Sequence, residues 1–322
     1  MDLERALLER LGGTDVVFSP LGLRRALEVV RRGARGRTLA ALDKVLGPDA
    51  PPDVAVDDPA VVLYMATAAW LAADYAPGPA LAGLDVGPLA VEPINAWARE
   101  RTRGMIPSVI EKVADYEKLA ITDAVYMDAA WTDPFDPAKT RPRPFEGAGE
   151  VAMMDISGRN FSYAEEGGLR AVRLPYGDHD LRFVGVLGDG DWRELTFQRR
   201  QGRVELPRFS AESRLELTDH LQALGLGPAF APGDELEALF TGPGAKALSR
   251  ILQRARADID EQGTKAAAVT VVTAMAISAV RADPPPPFHI VFDRPFTWAV
   301  EHGPTGALLF LGRVHHPTER SD

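Results

Sequence analysis

The chain has 322 residues, 46% of them hydrophobic and 25% charged, with 29 glycines, 26 prolines and no cysteine. That is chain enough for one large domain or two smaller ones, at the composition of an ordinary soluble globular protein. A formal net charge of −10 lacks the basic footprint that nucleic-acid phosphates require, and the missing cysteines exclude disulfides, thiolate metal sites and a cysteine nucleophile. The basic residues are mostly Arg, and Ala, Gly and Pro are abundant, a usage that points to a GC-rich bacterial genome.

Residues 3–11 read as a short amphipathic helix stopped by Gly12-Gly13. Its charges leave no apolar core for a secretory signal, so the expectation leans to the cytoplasm over secretion. Val16-Val17-Phe18 reads as a buried strand, and Ser19-Pro20 opens a helix to about Arg32: Ser caps it and Pro suits the first helical position. Its apolar face is Leu23, Ala26, Leu27 and Val30. Thr38 opens a further helix through Leu46, ended by Gly47-Pro48. The arginines at 24, 25, 31, 32, 35 and 37 read as a solvated helix face sooner than a polyanion patch.

Residues 48–59 are a Pro- and Asp-rich loop, Val61–Leu71 an apolar strand, and Glu92 to about Val113 a helix broken late by Gly104 and Pro107. Leu119–Met127 is a strand with a turn-rich exit at Trp131–Pro137. From Val151 to Gly188 short strands alternate with Gly- and Asp-containing turns. Arg203–Phe209 is a strand, Leu215–Leu224 a helix and 226–244 irregular; Phe288–Phe292, Pro295–Glu301 and Ala307–Val314 are strands, the last apolar enough to be buried on both faces. Early helices and late strands without a linker point to one mixed α+β domain over 1–322.

Between these lies the run 258–287, DIDEQGTKAAAVTVVTAMAISAVRADPPPP. Thr264–Val280 is seventeen residues without Gly or Pro and with one charge, Lys265. Read with period two, one face holds Thr264, Ala266, Ala268, Thr270, Val272, Ala274 and Ala276, small and uncharged throughout, while Lys265 faces the other way, where a charge is tolerated. Thr, Val and Ile favour a strand, Ala-Ala-Ala a buried helix, and the residues alone leave both open. The run falls short of the roughly 20 apolar residues of a membrane span.

No G-x-S-x-G elbow, H-E-x-x-H, Walker loop or S-x-x-K is present. Gly188-Asp-Gly-Asp lacks the glutamate and spacing of a calcium loop, and His315-His316 reads as an exposed pair sooner than a metal site. Neither a cofactor nor a catalytic constellation is expected.

Seven segments, in order, resemble the serpins, the serine-protease inhibitor superfamily: VVFSPLGL, INAWARERTRGMI, LAITDAVYMDAAWTDPFDPAKTRPRPF, VELPRF, DIDEQGTKAAAV, FDRPF and LLFLGRV. The resemblance implies the α+β serpin fold, mixed β-sheets with a helical cluster, and an exposed reactive-centre loop at about 261–287. Glu261 and Gly263 would start its hinge, with Thr264, Ala266, Ala267 and Ala268 as mobile residues. The family's count places the scissile bond at Ile277–Ser278, and a long return to Pro295 leaves Arg281–Ala282 as the alternative. Glu261 would pair with Arg208 near Trp131. In the sheet-opening region, which includes Ser19, a family serine is replaced by Gly22 and an Asn–His pair by Asp123 and Gln253. The implied activity is suicide-substrate inhibition of a serine protease by a monomer, with no membrane or nucleic-acid partner. Ile277 suits an elastase-like or subtilisin-like target, Arg281 a trypsin-like one. A non-inhibitory binding protein on the same fold is the alternative.

Overall fold

The computed structural model describes residues 2–178, 180–264 and 286–319. Six α-helices are present among them: α1 (Leu3–Leu11), α2 (Pro20–Gly33), α3 (Gly36–Leu46), α4 (Val91–Arg101), α5 (Thr218–Leu221) and α6 (Gly227–Phe230). The strands are β1 (Val16–Phe18), β2 (Val61–Leu71), β3 (Ala76–Pro77), β4 (Asp85–Pro88), β5 (Leu119–Ala130), β6 (Arg141–Phe145), β7 (Gly149–Glu166), β8 (Leu169–Pro175), β9 (Leu181–Leu187), β10 (Gln198–Pro207), β11 (Phe209–Glu216), β12 (Phe240–Thr241), β13 (Arg250–Ile259), β14 (Gly263–Thr264), β15 (Phe288–Val291), β16 (Phe296–His302) and β17 (Leu308–Val314).

They form a nine-stranded sheet in the order β1-β17-β16-β9-β8-β7-β10-β15, with β6 also on β7, a six-stranded sheet in the order β11-β13-β14-β5-β2-β4, and the small β3–β12 pair. Between the two large sheets lies an aromatic core that includes Phe183, Phe209, Phe292, Phe296, Trp298 and Phe310. Strand alternation sends Val125, Met127 and Ala129 of β5 and Ala255, Ala257 and Ile259 of β13 into this core. The opposite face of the six-stranded sheet lies under α4, where Trp97 meets Trp70 edge-on at 5.7 Å and Ile94 and Ala98 cover Ala120, Ala124 and Leu252.

Several expected elements differ in extent. Helix α3 starts at Gly36, two residues before Thr38, because its open N-terminus is capped from far along the chain. The Glu235 carboxylate accepts from the Arg37 and Thr38 backbone N–H groups (3.1 and 2.8 Å) and from the Thr38 hydroxyl (2.7 Å). Helix α4 stops at Arg101, well short of Val113, where Gly104 (φ +83°) and Pro107 end the helical path. The stretch expected as one strand at 203–209 is two, β10 and β11, and β11 runs on to Glu216 where a helix was expected; only Thr218–Leu221 is α-helical before the left-handed Gly225. The 226–244 stretch includes α6. The arginines of α2 and the turn into α3 are largely committed: Arg24 to Glu4, Arg31 to Glu28 (2.8 Å) and Arg35 to Asp234 (2.9 Å). His315 and His316 donate their backbone N–H groups to Asp15.

Candidate functional site

Strand β13, which the sequence reading left unassigned, creates the site. It runs parallel to β5 over seven register pairs, from Arg250 opposite Ala120 to Arg256 opposite Tyr126. Beyond Arg256 the two strands part, and β14 lies between them, antiparallel to both: Thr264 is opposite Ala129 on β5 and Ile259 on β13. Gly263–Thr264 of the 258–287 run are thus already a short central strand.

The turn that puts them there is tightly held. Asp260 Oδ1 accepts from the backbone N–H groups of Gln262 (2.8 Å) and Gly263 (3.2 Å), and Asp260 N donates to Gly263 O (2.9 Å). Gly263 has φ +149°, and a Cβ on it would lie 2.0 Å from the Ala129 carbonyl oxygen, so only glycine fits. Trp131 anchors the turn twice, its indole N–H donating to Asp260 O (2.8 Å) and its backbone N–H to Gln262 O (2.9 Å), while Phe135 N donates to Glu261 O (2.9 Å). Trp131 itself stacks on Tyr176 at 4.4 Å.

Glu261 and Arg208, expected as partners, are in contact: Arg208 Nη2 and Nε donate to the two Glu261 oxygens at 2.5 and 3.1 Å, and the Thr140 hydroxyl adds a third bond at 2.5 Å. Burial of Glu261 works against its charge, but the guanidinium and the hydroxyl outweigh it and hold the carboxyl below the usual range. Thr264 is fully buried, and its hydroxyl lies 2.7 Å from that of Tyr176, also fully buried. The niche around Thr264 is thus tight but not wholly apolar. Thr140, Phe135 and Tyr176 were not singled out in the sequence; Tyr176 shows there only as the end of the alternating segment LRAVRLPY.

Farther down the same seam, Gln253 of β13 donates to Asp123 of β5 (Nε2 to Oδ2, 2.9 Å). Its amide also clamps Ser19, donating to Ser19 O (2.9 Å) and accepting from Ser19 N (2.7 Å), while the Ser19 hydroxyl caps α2 through Gly22 N (3.1 Å). The Thr67 hydroxyl is hydrogen-bonded to Asp123 Oδ1 at 3.2 Å. A Cβ on Gly22 would lie 2.1 Å from Asp123 Oδ2, so the acid fills the space a side chain at 22 would need. Gly22→Ala is therefore expected to cost about 1–3 kcal/mol by overpacking, with Asp123→Ala in the same chain recovering part of it. Chemical denaturation of the two single variants and the double variant measures the coupling, and strictly additive losses would show that the two residues do not share this space.

A family model described as serpin, serine protease inhibitor, matches residues 85–317. The chain belongs to the serpin family. This serpin is 32% identical over 260 residues to glia-derived nexin of Rattus norvegicus, a match that covers 71% of this chain and 63% of that protein's length, under two thirds of it. It is 27% identical over 372 residues to leukocyte elastase inhibitor of Equus caballus, covering 98% and 97% of the two chains. Among solved structures it is similar to the thermophilic serpin tengpin in its native state (TM-score 0.83, 23% identity, 97% of this chain and 92% of that one). It is also similar to thyroxine-binding globulin in complex with thyroxine (TM-score 0.80, 20% identity, 99% and 97%). At these identities the structural likeness is one of fold, and the fold is the α+β serpin fold. In this serpin Ser19, Asp123, Trp131, Arg208, Gln253, Glu261, Gly263 and Thr264 gather along one seam of the six-stranded sheet. Ala266, Ala267 and Ala268 and both candidate bonds, Ile277–Ser278 and Arg281–Ala282, lie outside the described residues. Among the described residues no helix is long and apolar enough to cross a membrane.

Proposed function

We propose that this serpin is a suicide-substrate inhibitor of a serine protease, working as a single domain and a monomer. The protease cuts at Ile277–Ser278 and is carried away, as its acyl-enzyme, when the freed strand enters the seam between β5 and β13. The observation that supports this most is the position of Thr264, already paired with both strands. Continuing its register, Ala266 meets Met127 and Ala257, Ala268 meets Val125 and Ala255, and Thr270 meets Asp123 and Gln253. Small side chains thus follow one another into the core face. On the outer face Lys265 comes between Asp128 and Asp258.

The driving force is one of strand pairing. Insertion exchanges the parallel β5–β13 ladder for two antiparallel ones, each added hydrogen bond contributing roughly 0.5–1.5 kcal/mol net. The uncut chain is tethered at both ends of the loop, so the native state persists kinetically. Leukocyte elastase inhibitor, by its name, acts on an elastase; together with Ile277 it directs the first trial to elastase-like and subtilisin-like enzymes. Incubation with such a protease is expected to give a covalent complex that survives SDS, and a released C-terminal peptide beginning at Ser278. A peptide beginning at Ala282 moves the bond to Arg281 and the target to trypsin-like enzymes. Cleavage by every protease tried, with no complex, overturns inhibition in favour of a binding role on the same fold.

A further inference from the structure

We propose that the Asp123–Gln253 pair is a proton-operated latch on the seam: protonated Asp123 holds β5 to β13, and losing that proton frees the strands to part. Its bearing on inhibition rests on the reading above; the latch itself concerns the seam alone.

Gln253 and Asp123 are register partners in the β5–β13 ladder, three residues from Arg256–Tyr126, where the two strands begin to diverge around β14. Any strand continuing from Thr264 must separate them. Both are essentially sealed from solvent, at 1% exposure each.

The chemistry follows from the partners. As a neutral acid, Asp123 satisfies every polar atom with what surrounds it. One oxygen accepts from Gln253 Nε2 at 2.9 Å, and the protonated one can donate to the Thr67 hydroxyl, 3.2 Å away. As a carboxylate it has two neutral donors and no contacting cation. Around it α2 presents the Ser19 backbone, Gly22 and Arg25, β2 presents Thr67, and β13 presents Gln253; among the described residues Arg25 is the charged group whose field reaches it. Arg25 also faces Asp53, at 3.5 Å. A buried carboxylate so placed is costly until the strands part and water reaches it. The close approach of Gly22 removes the easy remedy, since no hydroxyl or water-sized gap remains on that side.

The direction is set by the sign of the shift. Burial pushes Asp123 up from 3.8 to about 7, with Gln253, Thr67 and, more weakly, Arg25 pulling the other way. A raised folded-state value means that the stabilisation is fully present below the unfolded value and is lost as pH rises through about 7. The seam therefore tightens in acid and loosens at neutral to alkaline pH.

Hydrogen exchange on the intact serpin tests this without a protease. Protection of backbone amides at 121–125 and 252–255 is compared at about pH 5.5 and about pH 8.5, corrected for intrinsic exchange, with β16 and β17 as internal reference. Wild type is expected to lose tenfold or more protection in the seam relative to the reference, and Asp123→Asn, which keeps the shape and cannot ionise, is expected to show no such loss. An equal loss in both proteins, or none in wild type, overturns the latch. Should Asp123→Asn not fold, carbon-13 NMR of aspartate-labelled wild type decides: a carboxyl titrating with a midpoint between about pH 6 and 8 supports the proposal, and all aspartates titrating below about pH 5 refutes it.

Discussion

A single cut between Ile277 and Ser278 is expected to raise the thermal midpoint on the order of 20 °C. In the uncut chain the six-stranded sheet has a central strand only two residues long, Gly263–Thr264, and below it β5 and β13 are joined by one parallel ladder of seven register pairs. A freed segment extended from Thr264 reaches roughly 3.3 Å per residue, so the dozen residues up to the bait span the full length of β5. Around ten net hydrogen bonds at ~0.5–1.5 kcal/mol each give ~5–15 kcal/mol, and each kcal/mol is worth a few degrees in a chain of this size. Limited proteolysis followed by calorimetry reads the result. Identical melting of cut and intact protein would mean the segment stays outside the sheet, and inhibition by insertion would be abandoned.

Thr264→Arg is expected to turn the inhibitor into a substrate, lowering the yield of covalent complex at least tenfold while the rate of cleavage stays near that of wild type. Thr264 has no exposed surface, and its hydroxyl is satisfied by Tyr176, which in turn lies beneath Trp131. A guanidinium in that niche would displace the hydroxyl pair and bring a charge among aromatic rings, costing several kcal/mol unless β14 is expelled. Expulsion removes the two residues that set the register, so insertion starts late and deacylation wins. Thr264→Ser, which keeps the hydroxyl, should behave as wild type. Complex and cleaved product resolved on one gel give the partition for each variant. Unchanged partition in Thr264→Arg would show that insertion does not begin at this position.

Lys265 marks the boundary of what alternation in the sequence could say. Period two sends it outward, where a charge costs nothing by itself, and on that ground Lys265→Glu would serve as a neutral control. The register adds what alternation cannot: extended from Thr264 it would put Asp128 and Asp258, 137 and 7 residues away in the chain, beside Lys265 on insertion, and a third carboxylate there would repel both. Lys265→Glu is therefore expected to fall between wild type and Thr264→Arg.

The same division runs through the rest of the fold. Short-range signals were legible: Ser19-Pro20 opens α2 with its cap in place, and the apolar run 308–314 is buried almost throughout. Elements whose ends are decided by distant partners were not. Glu235 starts α3 from 197 residues away, and β11 persists to Glu216 because β13 pairs with it along its whole length. Strand β13 escaped notice because its arginines at 250, 254 and 256 look like a solvated surface. They are instead largely covered, with side chains 12, 11 and 7% exposed, and each reaches a carboxylate: Glu117, Glu212 and Asp258 respectively. Glu261, Gly263 and Thr264, named from the family resemblance, lie together in the turn and β14, yet Tyr176 and Thr140, which hold Thr264 and Glu261, have no local pattern to betray them.

The glycine turn at Asp260–Gly263 has a consequence for how this loop can be altered. Because the turn is pinned by Trp131 and Phe135 and admits only one residue type at 263, it acts as the zero of a ruler laid along the seam. Parity then becomes a constraint. Adding a single residue just after Thr264 would exchange the two faces and drive Lys265 inward, and deleting one would likewise flip every residue beyond it, whereas the same change near residue 277 would shift only the point of cutting. Retargeting to another protease can thus be sought by rewriting the distal half freely, with the length of the proximal half left alone.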